Sequence, residues 1–490
     1  MPAPGRIESS AAPFLSGFVL VVVLAFADGG YFRETWPRAT IALACLAWLA
    51  LLLRERVALG SLDLAAMGAF ASFVGWVALS SAWSSLPDVS LQEGERGFVY
   101  VAALLAFLLL VPPEHVRELL AGVASGVTLV AAYSLGARLV WGQPIEIDPI
   151  QLNRLIEPLG YANALGILAA VGLVLTLGFA VHGSTRGGRA LAAGATIPLL
   201  STLTWTESRG TSLALVAGVG VLALVDSRRS EVLATALVLA PTCALAVLLT
   251  QRSSAFAEGR VATVDESPEA GARLALALGA LALVAALASR GSVWVARQLP
   301  RARWAARAAL GSLALVALSG VLVAALRADR PLGPRFEYWE VAWRQWEANR
   351  WLGSGAGTFA EYWRREDEPI DVLDAHSLYV ETLAELGPIG LVLLLCALSL
   401  PLLAGVRARH HPFAGVAAGA YTAYLVHAGL DWDWEMPAVT LTGLLCAVAL
   451  LASAREGRDQ IVLGGRGRVG FAVVVAAIAA AAVGAQLVAR

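Results

Sequence analysis

Lysine is absent from this 490-residue chain, and charge of either sign is scarce. All 36 basic residues are arginine, which rules out a Schiff-base lysine and a P-loop lysine. Charged residues make up 15% of the chain, against about 25% in ordinary soluble domains. A net charge of −1 gives no basic footprint for nucleic acid. Cysteine is also sparse: Cys45, Cys243, Cys396 and Cys446 sit inside apolar blocks. They lack metal-ligand spacing and read as small packing residues. The first apolar run follows Arg6 and ends in Asp28-Gly29-Gly30-Tyr31-Phe32, which is no small-residue cleavage site. It reads as a first membrane span that is not removed.

What fills the chain is apolar: 58% of residues are hydrophobic and the mean hydropathy is +0.69. The excess comes in long blocks. A bilayer core takes about 20 apolar residues of helix, and lipid leaves open backbone groups unsatisfied, so such blocks must be helical. Block lengths predict an all-α polytopic bundle of about 12 to 15 spans, running from 13–32 to 468–489, with 37–53 and 97–112 the shortest of note. The chain divides into an N-terminal transmembrane bundle at 1–326, a large polar loop at 327–377, and C-terminal transmembrane helices at 378–490. With the N-terminus in the cytoplasm, short inner loops collect Arg54, Arg56, Arg186, Arg189, Arg228, Arg229, Arg290, Arg407, Arg409 and Arg455, as the positive-inside rule requires. Glu93, Glu95 and the whole 327–377 segment then lie outside.

The 327–377 segment is long and polar, yet rich in aromatics: Tyr338, Trp339, Trp343, Trp346, Trp351 and Trp363 among them. Disordered loops have few. Trp339, Trp343 and Trp346 stand at i, i+4 and i+7, one helical face. Residues 335–349 therefore read as an amphipathic helix at the outer membrane surface. Gly353-Ser354-Gly355-Ala356-Gly357 reads as a flexible turn ending it.

Charged groups at membrane depth are costly and mark functional candidates. Arg209 heads a span in the tight turn Thr206-Glu207-Ser208-Arg209-Gly210; it either grips phosphate or snorkels to lipid headgroups. Arg335 opens the loop helix as a second anion ligand or as part of a solvated face. His376 stands where the loop re-enters the membrane, suited to general base work or to a structural role. Glu381 and Glu385 follow one and two turns on and can orient it. In the acidic turn from His427 to Glu435, Asp431 and Asp433 can bind a cation, an arginine of the loop or sugar hydroxyls, and the tryptophans either stack on sugars or form an interfacial belt. Asn163 lies just inside a span, placed to pair with Arg209 or with a neighbouring helix.

In this order the motifs resemble the O-antigen ligase and O-antigen polymerase family of bacterial envelope glycosyltransferases. The resemblance rests on Gly160-Tyr161-Ala162-Asn163, Ser208-Arg209-Gly210, Arg335, the run from Trp351 to Phe359, Ala375-His376-Ser377-Leu378-Tyr379, the run from Glu385 to Leu391, and the turn from His427 to Asp431. It covers roughly 160–435. It implies a GT-C-like enzyme of the bacterial inner membrane with its site facing the periplasm. The donor would be an undecaprenyl-diphosphate-linked glycan and the acceptor lipid- or glycan-linked, with no nucleotide sugar, metal or cofactor. Arg209 and Arg335 would bind the diphosphate, His376 would serve as base or orienting group, and inversion at the anomeric carbon would follow. Asn163, Glu381 and Asp431 would support them. Ligase and polymerase share these motifs. A transporter or flippase of lipid-linked glycans is the rival class, although no paired half-repeats or matching broken helices are visible. An envelope sensor or scaffold would tolerate loss of Arg209 or His376.

Overall fold

The apolar runs form helices of an all-α, multi-pass membrane bundle. The computed structural model describes residues 10–141, 151, 153–253, 268–298, 334–366, 370–455 and 460–488. The span expected at 304–326 and the start of the polar loop lie outside these residues. The helices are α1 Ala11–Ala25, α2 Thr35–Leu53, α3 Ser61–Leu79, α4 Pro87–Leu110, α5 Val116–Leu139, α6 Ala162–His182, α7 Arg186–Thr206, α8 Arg209–Val225, α9 Arg229–Arg252, α10 Pro268–Ala288, α11 Ser292–Gln298, α12 Arg335–Ala348, α13 Phe359–Arg364, α14 Leu378–Arg407, α15 Ala414–Ala428, α16 Pro437–Ser453 and α17 Gly465–Val488. The sole sheet among the described residues is a two-residue antiparallel pair, Ala58–Leu59 with Ile461–Val462.

Eight described helical segments are long and apolar enough to cross a membrane, and three further apolar helices are shorter. That is fewer than the 12 to 15 expected from block length. Three of the expected spans form the shorter helices Ala11–Ala25, Arg209–Val225 and Pro437–Ser453, one lies outside the described residues, and another is interrupted by charge. The block at 97–112 belongs to α4, which begins at Pro87 and carries Asp88, Glu93, Glu95 and Arg96 in its first half. Its apolar half, from Ala102 to Leu110, is wholly buried. Such a helix faces neighbours rather than lipid and needs no unbroken apolar surface.

At one end of the bundle, arginines take up the carbonyls that helix C-termini leave open. Arg54 donates to Leu109 and Leu110 at the end of α4 (2.9 and 3.0 Å). Arg455 donates to Val111 and Leu108 (3.0 and 3.2 Å) and pairs with the buried Asp63 at 2.6 Å. The other end carries the candidate site.

The loop helix forms, and the face it buries is not the tryptophan face. Tyr338, Val341, Ala342 and Gln345 are the buried stripe of α12, at i, i+3, i+4 and i+7. Tyr338, Val341 and Ala342 pack with Phe359, Trp363, Val372, Ala375 and Ala384 into a small second core, with Trp339 and Trp346 at its margin. Trp343 is exposed.

The glycine turn at 353–357 is held rather than flexible. Inside α14, Gly387 leaves the helical region (φ 67°) and Pro388 follows. Proline has no N–H to give the carbonyl four residues back, so the end of the helical segment before the break stands open. The loop fills the gap: Ser354 N–H donates to Ala384 O (3.3 Å) and Gly355 N–H to Glu385 O (2.8 Å). A side chain at Gly387 would meet the Trp351 carbonyl at 2.3 Å. Gly387→Ala is therefore expected to detach the turn. Alanine in that positive-φ extended conformation, which is essentially confined to glycine, costs roughly 1–3 kcal/mol, about tenfold or more in local opening. Limited proteolysis between residues 353 and 366 should accelerate at least that much, and an unchanged cleavage rate would contradict the assignment.

Candidate active site

Four stretches distant in sequence meet at the site end: the turn before α8, the start of α12, the re-entry turn before α14, and the turn between α15 and α16. Asp431 ties the start of α12 to the start of α6 and to its own turn. It is buried to 1% exposure. Its Oδ2 accepts from Arg335 Nη2 at 2.7 Å and from Asn163 Nδ2 at 2.7 Å. Oδ1 accepts from the Tyr161 hydroxyl (2.8 Å) and from Trp432 N–H (3.0 Å). Burial alone would lift this carboxyl; His427, Arg335, His376 and the Tyr161 hydroxyl outweigh it and hold it below the usual range. Of the roles open to Asp431, it takes that of holding the loop arginine.

Arg335 also donates from Nε to Leu430 O at 2.6 Å, which fixes the plane of its guanidinium. Its side chain keeps 22% exposure. Asn163 does not pair with Arg209. Its carbonyl accepts from Arg154 Nη2, and Arg154 Nε is anchored on Thr206 O at 2.6 Å. That contact turns the amide so that its N–H₂ group reaches Asp431 and the Tyr161 hydroxyl (2.9 Å).

Arg209 opens α8 directly after Ser208, whose hydroxyl caps the helix by accepting from Thr211 N–H. The preceding Glu207 is left-handed (φ 49°) and closes α7. The arginine is exposed and has no hydrogen bond or ion pair among the described residues. The next residue, Gly210, lies against His427 and Leu430. The α8 turn thus sits beside the carbonyl that holds Arg335.

His376 adopts a positive φ of 54°, a conformation costing about 1–2 kcal/mol for a residue with a Cβ. The surrounding contacts impose it. Ser377 caps α14, accepting from Val380 N–H, and Glu381 Oε2 accepts from Ala375 N–H at 2.8 Å. Nδ1 of His376 lies 3.0 Å from the Asp374 carbonyl. A carbonyl only accepts, so Nδ1 carries the hydrogen and Nε2 presents a lone pair. The ring packs on Tyr338 (centroids 4.9 Å apart), one turn beyond Arg335 on α12. Burial and Arg335 push the imidazole below its ordinary pKa, against the pull of Asp431.

Glu381 and Glu385 do not touch the His376 ring. Glu381 holds the turn before it. Glu385 reaches the glycine turn instead and accepts from Gly357 and Phe359 N–H, both at 2.8 Å.

A second charged network lies beside the re-entry turn. Arg96 is buried between the rings of Trp36 and Trp434 (5.7 and 5.4 Å) and pairs with Glu93 and with Glu435 at 2.8 Å. Carboxylate oxygens of Asp374, Glu381 and Glu435 lie within 4.8 Å of one another. Their oxygen-only donor set suits a hard cation such as Mg²⁺ or Ca²⁺. Arg96 already supplies positive charge to Glu435. Burial first, then Glu435, hold Asp374 well above the usual carboxyl range. Sequence reasoning missed Arg96 and Arg154 as site residues. Arg96 did carry a signal, since it is a lone guanidinium immediately before an apolar block.

The fold and this end together define a polytopic membrane protein with a polar, arginine-bearing site under a folded loop. An O-antigen ligase domain is present over part of it: that family's model matches residues 271–395, which supports the family assignment drawn from the motifs. The match contains Arg335, His376 and Glu381, while Arg209, Asn163 and Asp431 lie outside it. No curated protein matches the chain.

Proposed function

We propose that this protein is a membrane glycosyltransferase that moves a glycan from an undecaprenyl-diphosphate carrier to an acceptor hydroxyl at the periplasmic face of the bacterial inner membrane. The observation that carries the reading is the convergence of Arg209, Arg335 and His376 at one end, within a chain that matches the O-antigen ligase family in its loop. The opposite end is the arginine-rich one, and the positive-inside rule makes that end cytoplasmic.

The chemistry then follows from the groups present. The acceptor oxygen attacks the anomeric carbon as the bond from that carbon to the diphosphate oxygen breaks. His376 Nε2 takes the hydroxyl proton. Negative charge grows on the departing diphosphate, and Arg209 and Arg335 offset it. Arginine suits this because its planar donors match phosphate oxygens in pairs. Asp431, Asn163 and Arg154 hold Arg335 ready, so little reorganisation accompanies the reaction. Attack from the side opposite the leaving group inverts the anomeric centre. No step draws on a metal or a nucleotide sugar. Trp343 and Trp351, both exposed, seat the loop at the membrane interface.

In proteoliposomes given carrier-linked glycan and a lipid-linked acceptor, wild-type protein is expected to form a glycosidic bond. Arg209→Ala should lower kcat/KM for the donor by about 10²-fold, the scale of losing one charge-stabilising donor. Movement of the glycan lipid across the bilayer without bond formation would establish a transporter instead.

A further inference from the structure

We infer that His427 and Asp433 form a buried positioning pair that holds Arg209 and Arg335 in register on one diphosphate. This rests on the glycosyltransferase reading and assigns a role to two groups that the chemistry above does not use.

Both side chains are fully enclosed, each at 0% exposure. His427, near the end of α15, has its Nε2 2.8 Å from Asp433 Oδ2. Its Nδ1 faces the Thr211 hydroxyl of α8 at 3.5 Å. That hydroxyl donates to the Ser208 oxygen at 2.7 Å, and Ser208 is the cap of α8, one residue before Arg209. Gly210 completes the contact: a Cβ there would lie 3.7 Å from His427 Nδ1 and 3.7 Å from Leu430 Cβ. A chain of polar contacts therefore runs Ser208, Thr211, His427, Asp433.

Each end of that chain adjoins residues that carry or hold one arginine. At the α8 end, Ser208 and Gly210 flank Arg209. At the other end, Asp433 lies two residues after Asp431, the partner of Arg335, and Leu430 supplies the carbonyl that fixes Arg335 Nε. The imidazole links α8, which presents Arg209, to the turn after α15 that holds Arg335, and it does so without reaching the surface. A buried polar network of this kind specifies one arrangement because the alternatives leave groups unpaired. An apolar filler would have packed α15 equally well; a His–Asp pair adds direction.

The account makes a prediction that general stabilisation does not. If two arginines grip one diphosphate in a fixed register, Arg209→Ala and Arg335→Ala are non-additive. Loosening the bridge should erase that coupling. Thr211→Val removes the hydroxyl link while nearly preserving volume, and Thr211→Ser restores it. The probe is inorganic pyrophosphate as a competitor of transfer, measured on the purified full-length protein in proteoliposomes. Thr211→Val and Asp433→Asn are expected to weaken pyrophosphate inhibition about 5- to 10-fold and to raise KM for the donor more than they lower kcat. Coupling between the arginine substitutions should vanish in either background, and Thr211→Ser should recover wild-type behaviour. Undiminished coupling and inhibition in Thr211→Val would overturn the positioning role, even if His427→Ala itself fails to fold. If Arg209→Ala and Arg335→Ala leave both turnover and pyrophosphate inhibition intact in the parent protein, the diphosphate reading fails first and takes the inference with it.

Discussion

Replacing Arg335 with glutamine is expected to cut kcat/KM for transfer by about 10²- to 10³-fold, the range for removing a preorganised charge donor from a developing anion. Asp431→Asn should cost nearly as much although Asp431 touches no reacting atom in this account. Its carboxylate accepts from Arg335, Asn163 and Tyr161 at once. The asparagine keeps the shape, loses the charge and cannot accept from all three. The double substitution Arg335→Gln with Asp431→Asn should then fall little below either single one, because both disable the same unit. Steady-state kinetics on the three proteins decide this. Additive losses would mean that Asp431 acts elsewhere in the site. Truncating one partner of a buried pair also costs about 3–5 kcal/mol of stability, so thermal unfolding in detergent has to accompany the kinetics.

The second large effect concerns His376. His376→Asn should lower kcat by about 10²- to 10⁴-fold, the usual span for a general base. Asparagine is the informative replacement because it tolerates the positive φ that His376 adopts better than alanine does. The sign of the pH dependence follows from the imidazole's surroundings. Burial, with Arg335, holds its pKa below the ordinary 6.5, against Asp431. The neutral ring is the active form, so the acid limb of kcat/KM should lie below pH 6.5, with activity falling as pH drops through the depressed pKa. Removing the Arg335 charge should move that limb upward in the residual activity of Arg335→Gln. An acid limb that stays in place, or one that disappears in the wild-type protein, would argue against His376 as the base.

Much of this architecture is legible in the sequence, for physical reasons. Apolar runs must be helices in lipid, and Arg209, Arg335, His376 and Asp431 stand out because charge at the edge of an apolar block is expensive. The failures have equally physical causes. Trp339, Trp343 and Trp346 share a helical face, but α12 buries the neighbouring stripe of Tyr338, Val341, Ala342 and Gln345, since tryptophan suits an interface as well as a core. Spacing on an ideal helix put Glu385 beside His376, whereas its carboxylate turns to the amides of Gly357 and Phe359. The break at Gly387 and Pro388 brings those amides within reach. Of the partners open to Asn163, Arg209 is not the one it meets; its carbonyl takes Arg154, which comes from a segment whose approach nothing local encodes. Length and hydropathy also do not tell a lipid-facing helix from one enclosed by protein, as the apolar half of α4 is.

The central claim is that one site breaks the bond between glycan and carrier diphosphate and makes a new one to the acceptor. The most direct measurement is the stoichiometry of the two products in proteoliposomes loaded with carrier-linked glycan and acceptor. Wild-type protein should release one free undecaprenyl diphosphate for each new glycosidic linkage, with the anomeric configuration inverted, and Arg335→Gln and His376→Asn should lose both products together. Retention at the anomeric carbon, or carrier release without a linked acceptor, would contradict the account.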